Sequence, residues 1–113
     1  MQHLFAFIFL SLFTVTETHA ATASWYGPNF NGKKTANGEI YNQNKLTAAH
    51  NSYPFGTYVC LTNTDNGKTV RVKINDRGGF SKYGRSFDLS KEAARQLDFV
   101  HKGTCKVTYR VCN

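Results

Sequence analysis

The segment Val70-Arg71-Val72-Lys73-Ile74 alternates aliphatic and cationic residues with a period of two. Only a half-buried β-strand puts all three aliphatic side chains on one face. Asp65-Asn66-Gly67, just before it, is a strong hairpin-turn signal, so this strand is expected to pair with Thr57 to Thr62. The alternation breaks at Asn75-Asp76-Arg77-Gly78-Gly79-Phe80. A carboxylate where a strand gives way to a Gly-rich turn is where enzymes often expose a proton donor. It is also where an ordinary turn puts an Asp, and the stretch alone leaves both readings open.

The remaining signals are also short strands. Ala23-Ser24-Trp25-Tyr26 reads as a first strand stopped by Gly27-Pro28, and Ser86 to Leu89 as another. Val107, Tyr109 and Val111 alternate in a last one. Residues 29–46 hold many Asn, Gly and Lys without periodicity and are expected to form a long loop, a feature that is usually functional in a compact domain. One helix is expected over Lys91 to Leu97, capped by Ser90, with Glu92 in its first turn and the good helix formers Ala93 and Ala94 inside. Many short strands with one short helix imply a mainly β fold, a small closed barrel.

The 113 residues begin with the apolar run Leu4-Phe5-Ala6-Phe7-Ile8-Phe9-Leu10, which is shorter than the roughly 20 residues of a membrane span. Thr18-His19-Ala20 supplies small residues at the −3 and −1 positions. Residues 1–20 are therefore expected to be a signal peptide cleaved after Ala20, with residues 21–113 as one domain. Export to the periplasm or beyond follows. No Cys follows the run to carry a lipid, so no stable membrane anchor is expected.

The 14 Lys and Arg against 7 Asp and Glu give a formal charge of +7, an attraction for polyanions in general. The cations are scattered and no stacking motif interleaves them, so nucleic acid is not an expected partner. Of three cysteines, Cys105 and Cys112 would lie about 23 Å apart on one strand, too far to bridge. Cys60 therefore pairs with one of them if a disulfide forms. Cys112 is slightly favoured, because it ends the chain, and Cys105 stays open as the partner. No metal-ligand spacing is present, and neither metal nor cofactor is expected.

Three ionisable residues sit in unusual company. Glu39 lies in Thr35-Ala36-Asn37-Gly38-Glu39, His50 ends Leu46-Thr47-Ala48-Ala49-His50, and Asp76 ends the alternating strand. Each has a plainer reading: a solvated turn, a packing or capping histidine, a turn former. Spacing alone does not bring them together.

Read in order, the segments Ala23–Gly27, Lys34–Glu39, Leu46–His50, Pro54–Thr57, Val59 with Thr62-Asn63, Val72–Gly78 and Phe87–Ser90 resemble successive blocks of the RlpA-like proteins. The ordered set is specific where no single block is. The resemblance implies a six-stranded double-psi β-barrel, the fold also seen in expansins. It also implies lytic transglycosylase activity on peptidoglycan glycan strands, with a preference for strands stripped of stem peptides. The family's catalytic acid carries over to Asp76, and its conserved Glu and His to Glu39 and His50. Asn37, Thr47 and Arg77 fall in the same blocks and are expected to bind substrate. Trp25 and Tyr26 either offer apolar faces to sugar rings or fill the barrel core. A monomer is expected.

One tension and one departure accompany the resemblance. A general acid at neutral pH needs a raised pKa, and Arg77 adjoins Asp76 in sequence. Either Arg77 points away, or burial and Glu39 outweigh it. Gly79 stands where the family usually has Pro, which frees the loop behind Asp76, and Tyr83-Gly84 lengthens that loop. A non-catalytic, expansin-like module that binds or loosens wall glycan is the alternative function.

Overall fold

The computed structural model describes residues 17–78 and 85–113. Six strands make up its framework: β1 (His19–Trp25), β2 (Thr47–Ala49), β3 (Tyr58–Asn63), β4 (Thr69–Asp76), β5 (Phe87–Leu89) and β6 (Thr104–Val111). They close into a barrel in the order β1-β5-β2-β4-β3-β6. Closure leaves no open sheet edge to aggregate. β1 runs parallel to β5 and β2 parallel to β4, while the other neighbours are antiparallel.

The alternation of β4 acts as expected. Val70, Val72 and Ile74 are buried and Arg71 is exposed. The Asp65-Asn66-Gly67 turn joins β3 to β4, and Gly67 takes a φ of 76°, where a side chain would be strained. The interior is filled by alternate residues from all strands: Ala23, Ala48, Val59, Leu61, Phe87, Leu89 and Val107 join the β4 aliphatics. The Phe87 ring, fully buried, meets Tyr109 edge-on at 4.8 Å and His50 at 4.9 Å between centroids.

The helix α1 (Lys91–Gln96) is shorter by one residue than its sequence pattern suggests, because Leu97 forms its C-cap. Ser90 caps the other end, its Oγ accepting from the Ala93 N–H at 3.2 Å. β1 begins four residues earlier than Ala23. His19 and Ala20 continue its antiparallel ladder against Tyr109 and Thr108, because the long β6 still offers backbone partners there. The apolar run at residues 4–10 and the Gly79 and Tyr83-Gly84 departures lie outside the described residues.

Cys60 bonds Cys112, with Cα atoms 5.9 Å apart. The register explains the choice between the two candidates: Cys60 lies opposite Arg110 on β6, so Cys112 is within reach, whereas Cys105 pairs with Ala23 and faces the core. Burial pushes the Cys105 thiol up to about 11, which leaves it unreactive in the native state.

Cys112→Ser is expected to cost roughly 2–4 kcal/mol by releasing the clamped loop. Calorimetry should record that as a melting temperature lower by on the order of 10–20 °C. In the wild type, Cys105 should react with a thiol reagent at pH 8 only after denaturation.

Candidate active site

At the end of β4 the pairing with β2 slips by one residue. Thr47 lies opposite Lys73 and Ala48 opposite Ile74, but Ala49 lies opposite Asp76. Asn75 is the extra residue of a β-bulge, a device that re-aims side chains next to functional sites. The strict alternation would have sent Asp76 inward after Ile74. The bulge instead puts it on the outer face beside Ala49, half-buried, while Asn75 is buried.

Three donors fix the Asp76 carboxylate. The Tyr26 hydroxyl donates to Oδ2 at 2.6 Å, and the backbone N–H groups of Ala36 and Arg77 donate to Oδ1 at 2.8 and 2.9 Å. The main chain is held as well, since the His50 N–H donates to the Asp76 carbonyl at 3.2 Å. Tyr26 is itself stacked on Tyr41, with centroids 4.4 Å apart and planes 8° from parallel. Burial, followed by the bond to Asp76, pushes the Tyr26 phenol far above its ordinary range, so it stays a donor.

Asp76 lines an open cavity of about 330 Å³ with Tyr26, Phe30, Lys33, Ala49 and Asp88. Lys34, Arg77 and Gly78 complete the wall. Arg77 turns away from the neighbouring carboxylate. Its guanidinium lies over the Phe55 ring, 4.1 Å from the centroid, and Nη1 donates to the carbonyls of His50 and Asp76 at 3.4 and 3.3 Å.

Glu39 stands apart from this cavity. Its carboxylate accepts from Lys73 Nζ at 2.8 Å and from Asn75 Nδ2 at 2.9 Å, and it lines a second hollow of about 320 Å³ with Ile40, Asn42, Lys45 and Thr47. The Lys73 and Asn75 bonds hold its pKa down to about 2, so it is a fixed anion. The bulge residue links the two hollows. Asn75 binds Glu39 through its side chain and accepts the Asn37 N–H at 3.2 Å through its carbonyl.

Asn37 organises its own turn. Its Oδ1 accepts from Thr35 Oγ1 at 2.7 Å and from the Glu39 N–H at 3.1 Å. Gly38, at a φ of 93°, closes that turn. The product of this wiring is the Ala36 N–H aimed at Asp76.

His50 is buried against the barrel, with its ring stacked on Tyr53 at 4.2 Å. Its Nδ1 accepts from the N–H groups of Ser52 and Tyr53 at 3.1 and 3.0 Å. Burial, then the Arg77 charge, pushes its pKa down, so the ring is neutral. His50 therefore acts on Asp76 through its backbone rather than through its imidazole. Trp25 packs against the core, its indole N–H donating to the Val100 carbonyl at 3.2 Å, and it is not part of the cavity wall.

Asp88 belongs to the same cavity, although its local pattern gave it no role. The available signal was a lone acid between Phe87 and Leu89 on a three-residue strand.

Residues 18–109 match the family described as lytic transglycolase. The chain belongs to this RlpA-like family. It is 53% identical over 97 residues to an endolytic peptidoglycan transglycosylase RlpA of Campylobacter jejuni, covering 86% of this chain and 35% of that protein. A Neisseria meningitidis protein of the same name is 51% identical over 90 residues, covering 80% of this chain and 37% of the relative. The chain thus spans about a third of the length of these relatives. Among solved structures, apo Clavibacter michiganensis expansin superposes with a TM-score of 0.68 at 24% identity, over 86% of this chain and 51% of that one. A Streptomyces papain inhibitor superposes with a TM-score of 0.68 at 20% identity, over 86% and 96%. These two share the double-psi barrel fold.

The Glu39–Lys73 pair gives a pH signature. A folded-state pKa of about 2 against an ordinary 4.5 means that the pair's contribution is complete above about pH 4.5 and is lost as pH falls towards 2. The Glu39 side chain is 43% exposed, so solvent screening limits the contribution to less than about 1 kcal/mol. Glu39→Gln should be slightly less stable than the wild type at pH 7, and thermal melts of the two should converge by about pH 2.

Proposed function

We propose that this domain is an endolytic peptidoglycan transglycosylase that works outside the cytoplasm on glycan strands. It would cut the β-1,4 bond between N-acetylmuramic acid and N-acetylglucosamine without water and leave 1,6-anhydro ends. The observation that carries this reading is the Asp76 carboxyl group, held by three donors on the wall of an open cavity. The family membership supports the same reaction.

The reaction needs a proton delivered to the glycosidic oxygen as the bond to C1 breaks and an oxocarbenium-like state develops. The C6 hydroxyl of the same muramyl residue then attacks C1 and loses its proton. Because the nucleophile belongs to the substrate, a single carboxyl group suffices, acting first as acid and then as base. Asp76 is assigned this role. Lys33, Lys34 and Arg77 give the cavity a cationic wall suited to an anionic wall polymer.

Glu39 and His50 serve as supports in this scheme. Glu39, anchored by Lys73 and Asn75, steadies the turn that presents the Ala36 N–H, and His50 holds the backbone of Asp76. We place the chain in the periplasm or on the extracellular side, after removal of a signal peptide, as a monomer.

Digestion of purified sacculi followed by mass spectrometry tests the assignment. The wild type should release products with 1,6-anhydro ends, and Asp76→Asn should reduce that release by at least about 100-fold while keeping a near-native melting temperature. Retention of sacculus binding with no anhydro ends from the wild type would point instead to a wall-binding module.

A further inference from the structure

Asp76 and Asp88 flank one small residue. Ala49 on β2 is the register partner of Asp76 on one side and of Asp88 on the other. Two strand spacings put the two Cα atoms about 10 Å apart. Both side chains line the same 330 Å³ cavity. Phe87 and Leu89 point into the barrel, so Asp88, between them on β5, faces outward with Asp76.

Their surroundings differ. Both oxygens of Asp76 already accept hydrogen bonds, from three donors in all. Asp88 accepts one side-chain bond among the described residues, from Ser24 Oγ at 3.1 Å. Two carboxyl groups in one cavity with unlike environments are the usual arrangement when one holds a proton and the other does not.

We propose that Asp88 is a second catalytic carboxyl group of this centre, one that gives its proton to the leaving glycosidic oxygen while Asp76 receives the proton of the C6 hydroxyl. The proposal rests on the transglycosylase reading and divides between two residues the transfers that reading gives to one. The Asp88 proton passes to the bridging oxygen as the C1–O bond breaks, and the bonding pair leaves with that oxygen. The C6 oxygen then bonds to C1, and its proton passes to Asp76. A proton returns from Asp76 to Asp88 before the next turnover, so no water, oxidant or reductant is consumed.

The charges around Asp88 are compatible with this role. Burial raises its pKa, and the Asp76 charge acts in the same direction. The Ser24 hydroxyl and the Arg85 charge act the other way. Tyr26 and Tyr41 feel the Asp88 charge, and Lys33, Lys34 and Arg77 line the shared cavity. A proton donor is active below its own pKa, so the alkaline limb of the rate profile should report the deprotonation of Asp88.

Asp88→Asn should lower release of anhydro products from sacculi by about 100-fold or more and remove that alkaline limb. It should be largely spared on a 4-nitrophenyl β-glycoside of the GlcNAc–MurNAc disaccharide, whose leaving group needs no proton. Asp76→Asn should be impaired on both substrates. Ser24→Ala, which removes the bond to Asp88, should move the alkaline limb to higher pH, and this variant tests the proposal even if Asn at position 88 prevents folding. Full sacculus activity of Asp88→Asn, equal losses on both substrates, or an unmoved limb in Ser24→Ala would overturn the role of Asp88 alone. A wild type that makes no anhydro ends would overturn the transglycosylase reading itself.

Discussion

The one-residue slip between β2 and β4 is the constraint on which the site depends. Side chains alternate across a strand, so inserting a single residue moves everything after it to the opposite face. Up to Ile74 the even-numbered positions of β4 fill the barrel, opposite Ala48. Beyond Asn75 the next even position, Asp76, lies outside beside Ala49. Without the bulge, a carboxylate would be driven into an aliphatic interior, where an unpaired charge costs several kcal/mol. The same slip turns Asn75 into a buried connector whose side chain and carbonyl both tie down the Thr35–Glu39 turn.

This arrangement explains how a small domain holds a carboxylate in place. The Ala36 N–H comes from a turn distant in sequence, but that turn is closed by Asn37 and Gly38 and fastened to β4 at three further points, by Lys73 and twice by Asn75. Tyr26 comes from the end of β1, and its position is fixed by stacking on Tyr41 and by its own N–H donating to the Leu89 carbonyl at 3.0 Å. The donors therefore reach Asp76 already ordered, with little rotational freedom left to lose.

Whatever was local in the chain was legible in it. The Val70, Val72 and Ile74 stripe, the Asp65-Asn66-Gly67 turn and the Ser90 cap are written within a few residues each, and the structure has all three. The pattern of short strands with one helix pointed to a small closed barrel, and the RlpA-like resemblance supplied its six-stranded double-psi form and the singling out of Asp76. Hidden from the sequence were effects of pairing between distant strands. The bulge exists only relative to Ala48 and Ala49, more than 20 residues away. The nearness of Asp88 to Asp76 exists only because β2 lies between β4 and β5. The Cys60–Cys112 pairing, slightly favoured from the sequence, is present, and its physical reason is the register of β6 against β3. Glu39 and His50 share the neighbourhood of Asp76 without touching its carboxylate, because one faces the second hollow and the other packs against the barrel.

Arg77 shows how the fold handles a conflict that the sequence raises. A cation next to a catalytic carboxylate would bind it and hold it ionised. The bulge and the following turn send the two side chains in different directions. The guanidinium settles on the Phe55 face and on two carbonyl oxygens, contacts that hold a planar cation well. Its charge also reaches His50, where it adds to burial in keeping the imidazole neutral. A neutral His50 can keep Nδ1 as the acceptor for the Ser52 and Tyr53 N–H groups, which orders the chain just after β2. The His50 N–H bound to the Asp76 carbonyl is part of that same ordered segment. Arg77 thus helps to hold Asp76 in place, through its own backbone N–H on the carboxylate and through the neutral state of His50, while its guanidinium stays off the carboxylate.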